Sequence, residues 1–252
     1  MINTIAKTAR ISTKTIRDGS VFGRDAFCEK LENKLYNRLS KYKHTQFEYI
    51  GDIIRNILPT KLISVEKISK SDEFCSGSVH LANDTQNIIP ADVVGYIVTY
   101  KNNYKKEHFG GVAIDVLMHE VHHLFNYFTH PKIPARILKI SKLPSDKYNF
   151  QEFFVKHFQS PKTPKDCAIA TEKLISENDK YKIDLLQYFR YKIIDEIGAY
   201  NSGKEFLFKY RQKHPKNKNK EYSDQVKILH LREKLDLISD MLKDAIKAER
   251  QK

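Results

Sequence analysis

The stretch from Val112 to Phe128 restricts the fold of this chain more than any other. It follows Gly110-Gly111, stops before Pro131 and repeats apolar side chains at helical spacing, so it predicts one continuous helix. His119 and His123 lie four residues apart in this helix and therefore point the same way, about one turn from each other. The fold must either leave both imidazoles partly exposed or give them a shared partner.

His119, Glu120 and His123 together form the pattern HExxH. Two imidazole nitrogens at this spacing can bind one Zn²⁺ at about 2.0–2.1 Å. Glu120 leans toward the same cleft, where it can take a proton from a zinc-bound water instead of binding the metal. The plain alternative is that all three are polar residues on a partly exposed helix.

A catalytic zinc site usually has three protein ligands, so a third ligand is needed. The best candidate is Glu196, which follows Ile193 by three residues and Phe189 by seven and so projects from the apolar face of a predicted helix. A carboxylate facing a core is costly unless a cation meets it, and Zn²⁺ would be that cation. The alternative is a carboxylate at the edge of the apolar face, paired with Lys192 or Arg190.

The combination of HEVHH at 119–123 with Glu196-Ile-Gly-Ala-Tyr200 downstream resembles the gluzincin branch of the zincin metallopeptidases. In that branch the third zinc ligand is a glutamate on a later helix, in an E-x-x-A context. The strand-like VVGYIVTY at 93–100 is similar to the sheet edge along which zincins add an extended substrate. The resemblance covers residues 93–201. It implies a zinc-dependent metallopeptidase, a hydrolase that cleaves peptide bonds of a protein or peptide substrate through a zinc-bound water activated by Glu120.

Other residues near the motif have weaker claims to a role. His130 gives HExxH-x6-H, one residue longer than the metzincin pattern, and Asn126 stands where that pattern has glycine, which disfavours a metzincin. Asp115 precedes His119 by four residues and suits a hydrogen bond to a ligand, or solvent, better than the metal itself. Tyr200 could donate its phenol to an oxyanion, although aromatic residues at helical spacing are often core.

The remaining pattern predicts a helix-dominated α+β fold. A zincin-like core would combine a small mixed or antiparallel sheet with the active-site helix and the downstream glutamate helix. Five prolines predict long loops in an insertion at 129–180, which is suited to substrate selection. Helices are predicted at 24–40, 47–58, 183–210 and 223–249, and strands at 61–68, 77–81 and 93–100.

We expect one compact domain with three parts. Residues 1–92 would supply N-terminal helices and the first strands, residues 93–201 the catalytic core, and residues 202–252 a basic linker and an amphipathic C-terminal helix. In that last helix Leu231, Leu235, Ile238, Leu242 and Ile246 form one apolar stripe.

The formal charge of +13 is concentrated in the flanks of the chain. Residues 1–43 and 202–252 each carry +6, whereas 44–201 carry only +1. The basic segment 209–220 therefore keeps a nucleic-acid- or anionic-surface-binding protein open as an alternative function. A catalytically silent zincin-like scaffold is the other alternative.

The sequence also bears on the compartment. No apolar run approaches the roughly 18 residues that span a bilayer, and the N-terminus lacks the apolar stretch of a secretory signal. Cys28, Cys75 and Cys167 show no CxxC spacing, so they predict neither a disulfide framework nor a cysteine-based zinc site. We expect a cytoplasmic protein, or one exported without a cleavable signal, which suits a housekeeping peptidase as well as a toxin or translocated effector.

Overall fold

The structure is a computed structural model, and in several elements it describes the backbone alone. The residues that it describes are 26–39, 62–68, 77–81, 95–101, 108–109, 112–129, 140, 149–213 and 222–251. The helix predicted at 47–58 lies outside them.

Long helices make up most of the described chain. They are α1 Ala26–Leu39, α2 Ile114–Thr129, α3 Phe150–Phe154, α4 Pro164–Glu177, α5 Lys182–Lys213 and α6 Tyr222–Glu249. A π-helical turn, Val155–Gln159, continues α3, and a 3-10 turn, Asp179–Tyr181, precedes α5. The helices predicted at 24–40, 112–128, 183–210 and 223–249 are confirmed to within three residues at each end.

The part predicted as long loops, 129–180, is largely helical from Asn149 onward, so that prediction is wrong there. Asn149 caps α3 with its side chain, which accepts two backbone N–H groups of the first turn. At the start of α4, Thr163 and Asp166 bond reciprocally in a capping box. Pro164 occupies the first helical position, where a missing N–H costs nothing. This proline therefore begins a helix instead of breaking one.

Short strands precede α2. They are β1 Leu62–Ile68, β2 Gly77–Leu81, β3 Gly95–Lys101, β4 His108–Phe109 and β5 Val112–Ala113. β3 lies between the other two long strands, parallel to β1 with Leu62 opposite Gly95, and antiparallel to β2 with Gly77 opposite Tyr100. β4 pairs antiparallel with β5, which leads directly into α2.

The packing that the structure describes is helical, and the predicted α+β fold class with a sheet in its core is wrong. Of the residues whose side chains are described, 92% are helical and none lies in a strand. The alternating β-branched pattern at 93–100 does form a strand, β3, which pairs with β1 and β2. Every buried hydrophobic side chain that the structure describes lies in a helix.

The chain divides into two compact units. One comprises Met1–Lys132 and Gly198–Asn219, and its described core includes Leu35, Val121 and Phe125. The other comprises Ile133–Ile197 and Lys220–Lys252. The three parts predicted with boundaries at residues 92 and 201 stay a prediction.

The second unit has an aromatic core. The rings of Phe154 and Phe158 lie 5.4 Å apart, and those of Phe158 and Phe189 lie 5.2 Å apart. The Lys192 ammonium lies 5.5 Å from the Phe154 ring centroid, within cation–π range. These contacts join the π-helical turn to the first half of α5.

A buried lysine closes the π-helical turn of the same unit. Lys234, 0% exposed, donates from Nζ to the carbonyls of His157 (3.2 Å), Phe158 (2.9 Å) and Ser160 (2.7 Å). The last carbonyls of a helix have no donor within it, so the ammonium acts as their cap. The Cys167 thiol donates to the His157 carbonyl as well (2.8 Å). Burial lowers the pKa of Lys234 and raises the pKa of the Cys167 thiol.

The C-terminal helix buries part of its predicted stripe. Leu231, Leu235 and Ile238 are buried, whereas Leu242 and Ile246 are half-buried. None of the described helices combines the length and the apolar composition that crossing a membrane requires.

Candidate metal centre

Helix α2 presents its two candidate histidines from a buried face. Met118, Val121 and Phe125 are each 1% exposed or less, so packing fixes the rotation of the helix about its axis. His123 is buried and His119 is half-buried. The apolar positions therefore hold the two imidazoles in place.

The two imidazoles converge on one point. Nε2 of His119 and Nε2 of His123 lie 3.2 Å apart, and the rings meet edge to face at a centroid distance of 4.8 Å. Tetrahedral coordination with bonds of about 2.0–2.1 Å brings two ligand nitrogens to about 3.3 Å from each other. The observed separation of 3.2 Å is close to that value.

Glu196 occupies an apolar stretch of α5. Phe189, Ile193 and Ile197 are fully buried, and Glu196 itself is 4% exposed. A carboxylate in such surroundings requires a cation or strong donors. His119, His123 and Glu196 each offer one ligand atom, and these atoms all lie within 4.8 Å of one another. The largest of these separations exceeds the roughly 3.3 Å between two ligand atoms in tetrahedral zinc coordination. Rotation of the carboxylate can reduce the difference.

The cations suggested as alternative partners of Glu196 make contacts elsewhere. Arg190 donates from Nε to the Ser239 hydroxyl at 3.3 Å. Lys192 lies over the Phe154 ring, as described above. The described contacts of these two cations are therefore with residues other than Glu196.

Tyr200 lies one turn after Glu196 on the uninterrupted helix α5. Its ring meets the His119 ring edge to face, with centroids 4.5 Å apart. Two residues further along, the Ser202 hydroxyl donates to the Met118 carbonyl at 3.5 Å. The predicted phenol donor therefore contacts a predicted ligand directly.

Among Glu120, Asp115 and His130, only Glu120 has a described side chain. Glu120 is buried, at 6% exposure, next to His119 in the chain. Asp115 lies in the first turn of α2, but its side chain is not among those described, so its predicted hydrogen bond stays a prediction. His130 lies outside the described residues.

His122 has a role that the sequence pattern did not reveal. Its ring is 0% exposed, and its Nδ1 lies 2.8 Å from Oε1 of Glu32. Glu32 lies on α1, ninety residues earlier, and is itself buried. A glutamate within the apolar face of α1 is the signal that could have suggested such a pair.

The chain matches no known protein-family model, and no curated protein or solved structure shows significant similarity to it.

Proposed function

We propose that this chain is a zinc-dependent metallopeptidase with His119, His123 and Glu196 as the metal ligands. The observation that carries the proposal is the meeting of three ligand atoms within 4.8 Å, two of them imidazole nitrogens at 3.2 Å. Two neutral nitrogens and one carboxylate are a ligand set typical of catalytic zinc sites. The resemblance of HEVHH and Glu196-Ile-Gly-Ala-Tyr200 to gluzincins supports the same proposal.

Each neighbouring residue has a task in this proposal. Zinc at this centre would supply a Lewis acid that lowers the pKa of water to about 7. Glu120, next to the first ligand, takes the proton from the attacking water and returns it to the leaving amine. Tyr200, in contact with the His119 ring, donates its phenol to the negative charge that develops on the scissile carbonyl oxygen.

Metal analysis of the purified chain tests the ligand set. We expect one zinc per chain in the wild type and its loss in His119→Ala and Glu196→Ala. Matched controls are His230→Ala, a half-buried histidine of α6, and Glu172→Ala, an exposed glutamate of α4, both of which should keep the metal. A wild-type chain that holds no zinc after purification and reconstitution would remove the proposal.

Replacement of Glu120 by Gln tests the catalytic step separately. The variant should keep zinc and lose cleavage of a fluorescently labelled, denatured protein by about 10²- to 10⁴-fold, because a general base of this kind contributes that much. Equal activity of Glu120→Gln and the wild type would contradict the assignment of the base. Stoichiometric zinc in a wild type that cleaves neither denatured nor native proteins would favour the silent scaffold instead.

A further inference from the structure

Glu32 and His122 form a buried polar pair beside the candidate metal centre. The Glu32 side chain is 4% exposed and the His122 side chain 0%. An ionised carboxylate accepts but does not donate, so His122 donates its Nδ1 proton to Oε1 across 2.8 Å. Burial makes this bond costly to break, because each group would lose its partner far from water. The pair therefore fixes the separation and rotation of α1 and α2 at this point.

His122 lies between the two candidate ligands on α2, so the pair can influence how they are oriented. His122 follows His119 by three residues and immediately precedes His123, and the rings of His122 and His123 lie 6.3 Å apart. A helix is stiff over one turn, so a fixed direction for His122 fixes the directions of both neighbours. The side chains that offer Nε2 to the metal are held through the residue between them.

Helix α1 is also attached to the second half of α5. The Tyr36 hydroxyl donates to the Lys209 carbonyl at 3.2 Å, and Lys209 donates from Nζ to Oδ1 of Asn33 at 3.0 Å. The Tyr36 ring meets the Phe206 ring edge to face at 4.9 Å. Around a small cavity, α1 thus contacts both α2 and the helix that carries Tyr200. The attachment to α5 and the attachment to α2 use different residues of α1, which allows them to be tested separately.

We infer that Glu32 is a positioning residue for the metal centre. Through His122 it adds a directional hydrogen bond to the apolar packing that orients α2, so that the two candidate ligands present Nε2 to one ion instead of to solvent. This inference rests on the proposed metal site. It assigns to Glu32 no contact with metal or substrate.

Zinc affinity of the full chain, measured by chelator competition, tests the inference. Glu32→Leu removes the acceptor and should weaken zinc binding by about 10-fold, the low end of the loss for a group bonded directly to a metal ligand, because Glu32 acts only through His122. Glu32→Gln keeps an oxygen that can accept the same proton and should stay close to wild type. Glu32→Asp keeps the charge but shortens the side chain by one methylene, so we expect an intermediate loss of zinc affinity. This variant provides the test if Glu32→Leu does not fold.

Tyr36→Phe is the matched control, because it removes a hydrogen bond of α1 that does not reach α2. It should leave zinc affinity and the visible absorption spectrum of the Co²⁺-substituted chain unchanged, whereas Glu32→Asp should alter that spectrum. Wild-type zinc affinity and spectrum in both Glu32→Leu and Glu32→Asp would overturn the inference and leave the proposed function intact. Equal losses in Tyr36→Phe and Glu32→Leu would overturn it too, since α1 would then act by general stability alone. A wild type without zinc would instead remove the proposed function, and the inference with it.

Discussion

Replacing the buried Lys234 by Met should strongly destabilise the unit that contains α4 and α6. Methionine is unbranched and fills a similar space, so the change removes the ammonium while leaving little cavity. Three carbonyls at the end of the π-helical turn then lose their common donor. The substitution therefore measures what the cap contributes to folding.

The magnitude follows from the three hydrogen bonds. The buried bond to the Phe158 carbonyl is charge-assisted and contributes about 1.5–3 kcal/mol. The partly buried bonds to the His157 and Ser160 carbonyls contribute about 1 kcal/mol each. Removing the ammonium also removes its desolvation cost, which offsets part of this sum. We expect a net loss of about 3 kcal/mol, or a fall of about 6–12 °C in the unfolding midpoint.

Thermal unfolding followed by far-ultraviolet circular dichroism provides the assay. Lys243→Met is the matched control on the same helix, because Lys243 is exposed and bonds only to the exposed Asp240 among the contacts described. An exposed pair of this kind should leave the midpoint unchanged within error. A midpoint for Lys234→Met equal to that of Lys243→Met would refute the reasoning, since the three carbonyls would then not depend on the lysine.

Two further predictions concern the same unit. Thr163→Ala removes the capping box of α4 and should cost about 1 kcal/mol in urea unfolding. Ser176→Ala, which removes an exposed hydroxyl bonded within the same helix, should cost less, and equal losses would count against the cap. Burial, followed by the charges of Lys162 and other lysines, holds the pKa of His157 below 6.5, so the unfolded chain binds a proton that the folded chain resists as the pH falls below 6.5. Stability should therefore decline below pH 6.5 and decline less in His157→Asn; parallel curves of stability against pH for the two proteins would contradict the assignment.

The elements near the candidate centre follow closely from the sequence. The apolar spacing in α2 predicts both its limits and the common direction of His119 and His123. Glu196 could be singled out because a carboxylate in the apolar stretch with Ile193 and Phe189 needs a partner. Each of these inferences uses residues within a few turns of one helix, where local periodicity is informative.

The fold class could not be predicted in the same way. The pattern at 93–100 indicates an extended backbone, but whether a sheet forms the core depends on what covers its faces, which local periodicity does not contain. The pairing of Glu32 with His122 has the same origin, because ninety residues separate the partners. Lys234 lies between Leu231 and Leu235 in the apolar stripe of α6, a conspicuous position, yet its acceptors belong to a distant turn.

The start of α4 after Thr163 was predictable in principle. The sequence Thr163-Pro-Lys-Asp166 contains a cap, a proline suited to the first turn and an acid three residues after the cap. Pro164 alone indicates a break in a helix, whereas together with Thr163 and Asp166 it indicates a helix start.

The unbroken helix α5 restricts how the length of this chain can vary during evolution. Each residue inserted or deleted between Glu196 and Tyr200 would turn one side chain about 100° around the axis relative to the other. Substitutions there can be absorbed, but single-residue length changes cannot if both side chains are to keep facing the histidines of α2. Homologues that share the centre should therefore keep four residues of spacing between these positions, because even seven added residues, which restore the face, would move Tyr200 about 10 Å along the axis.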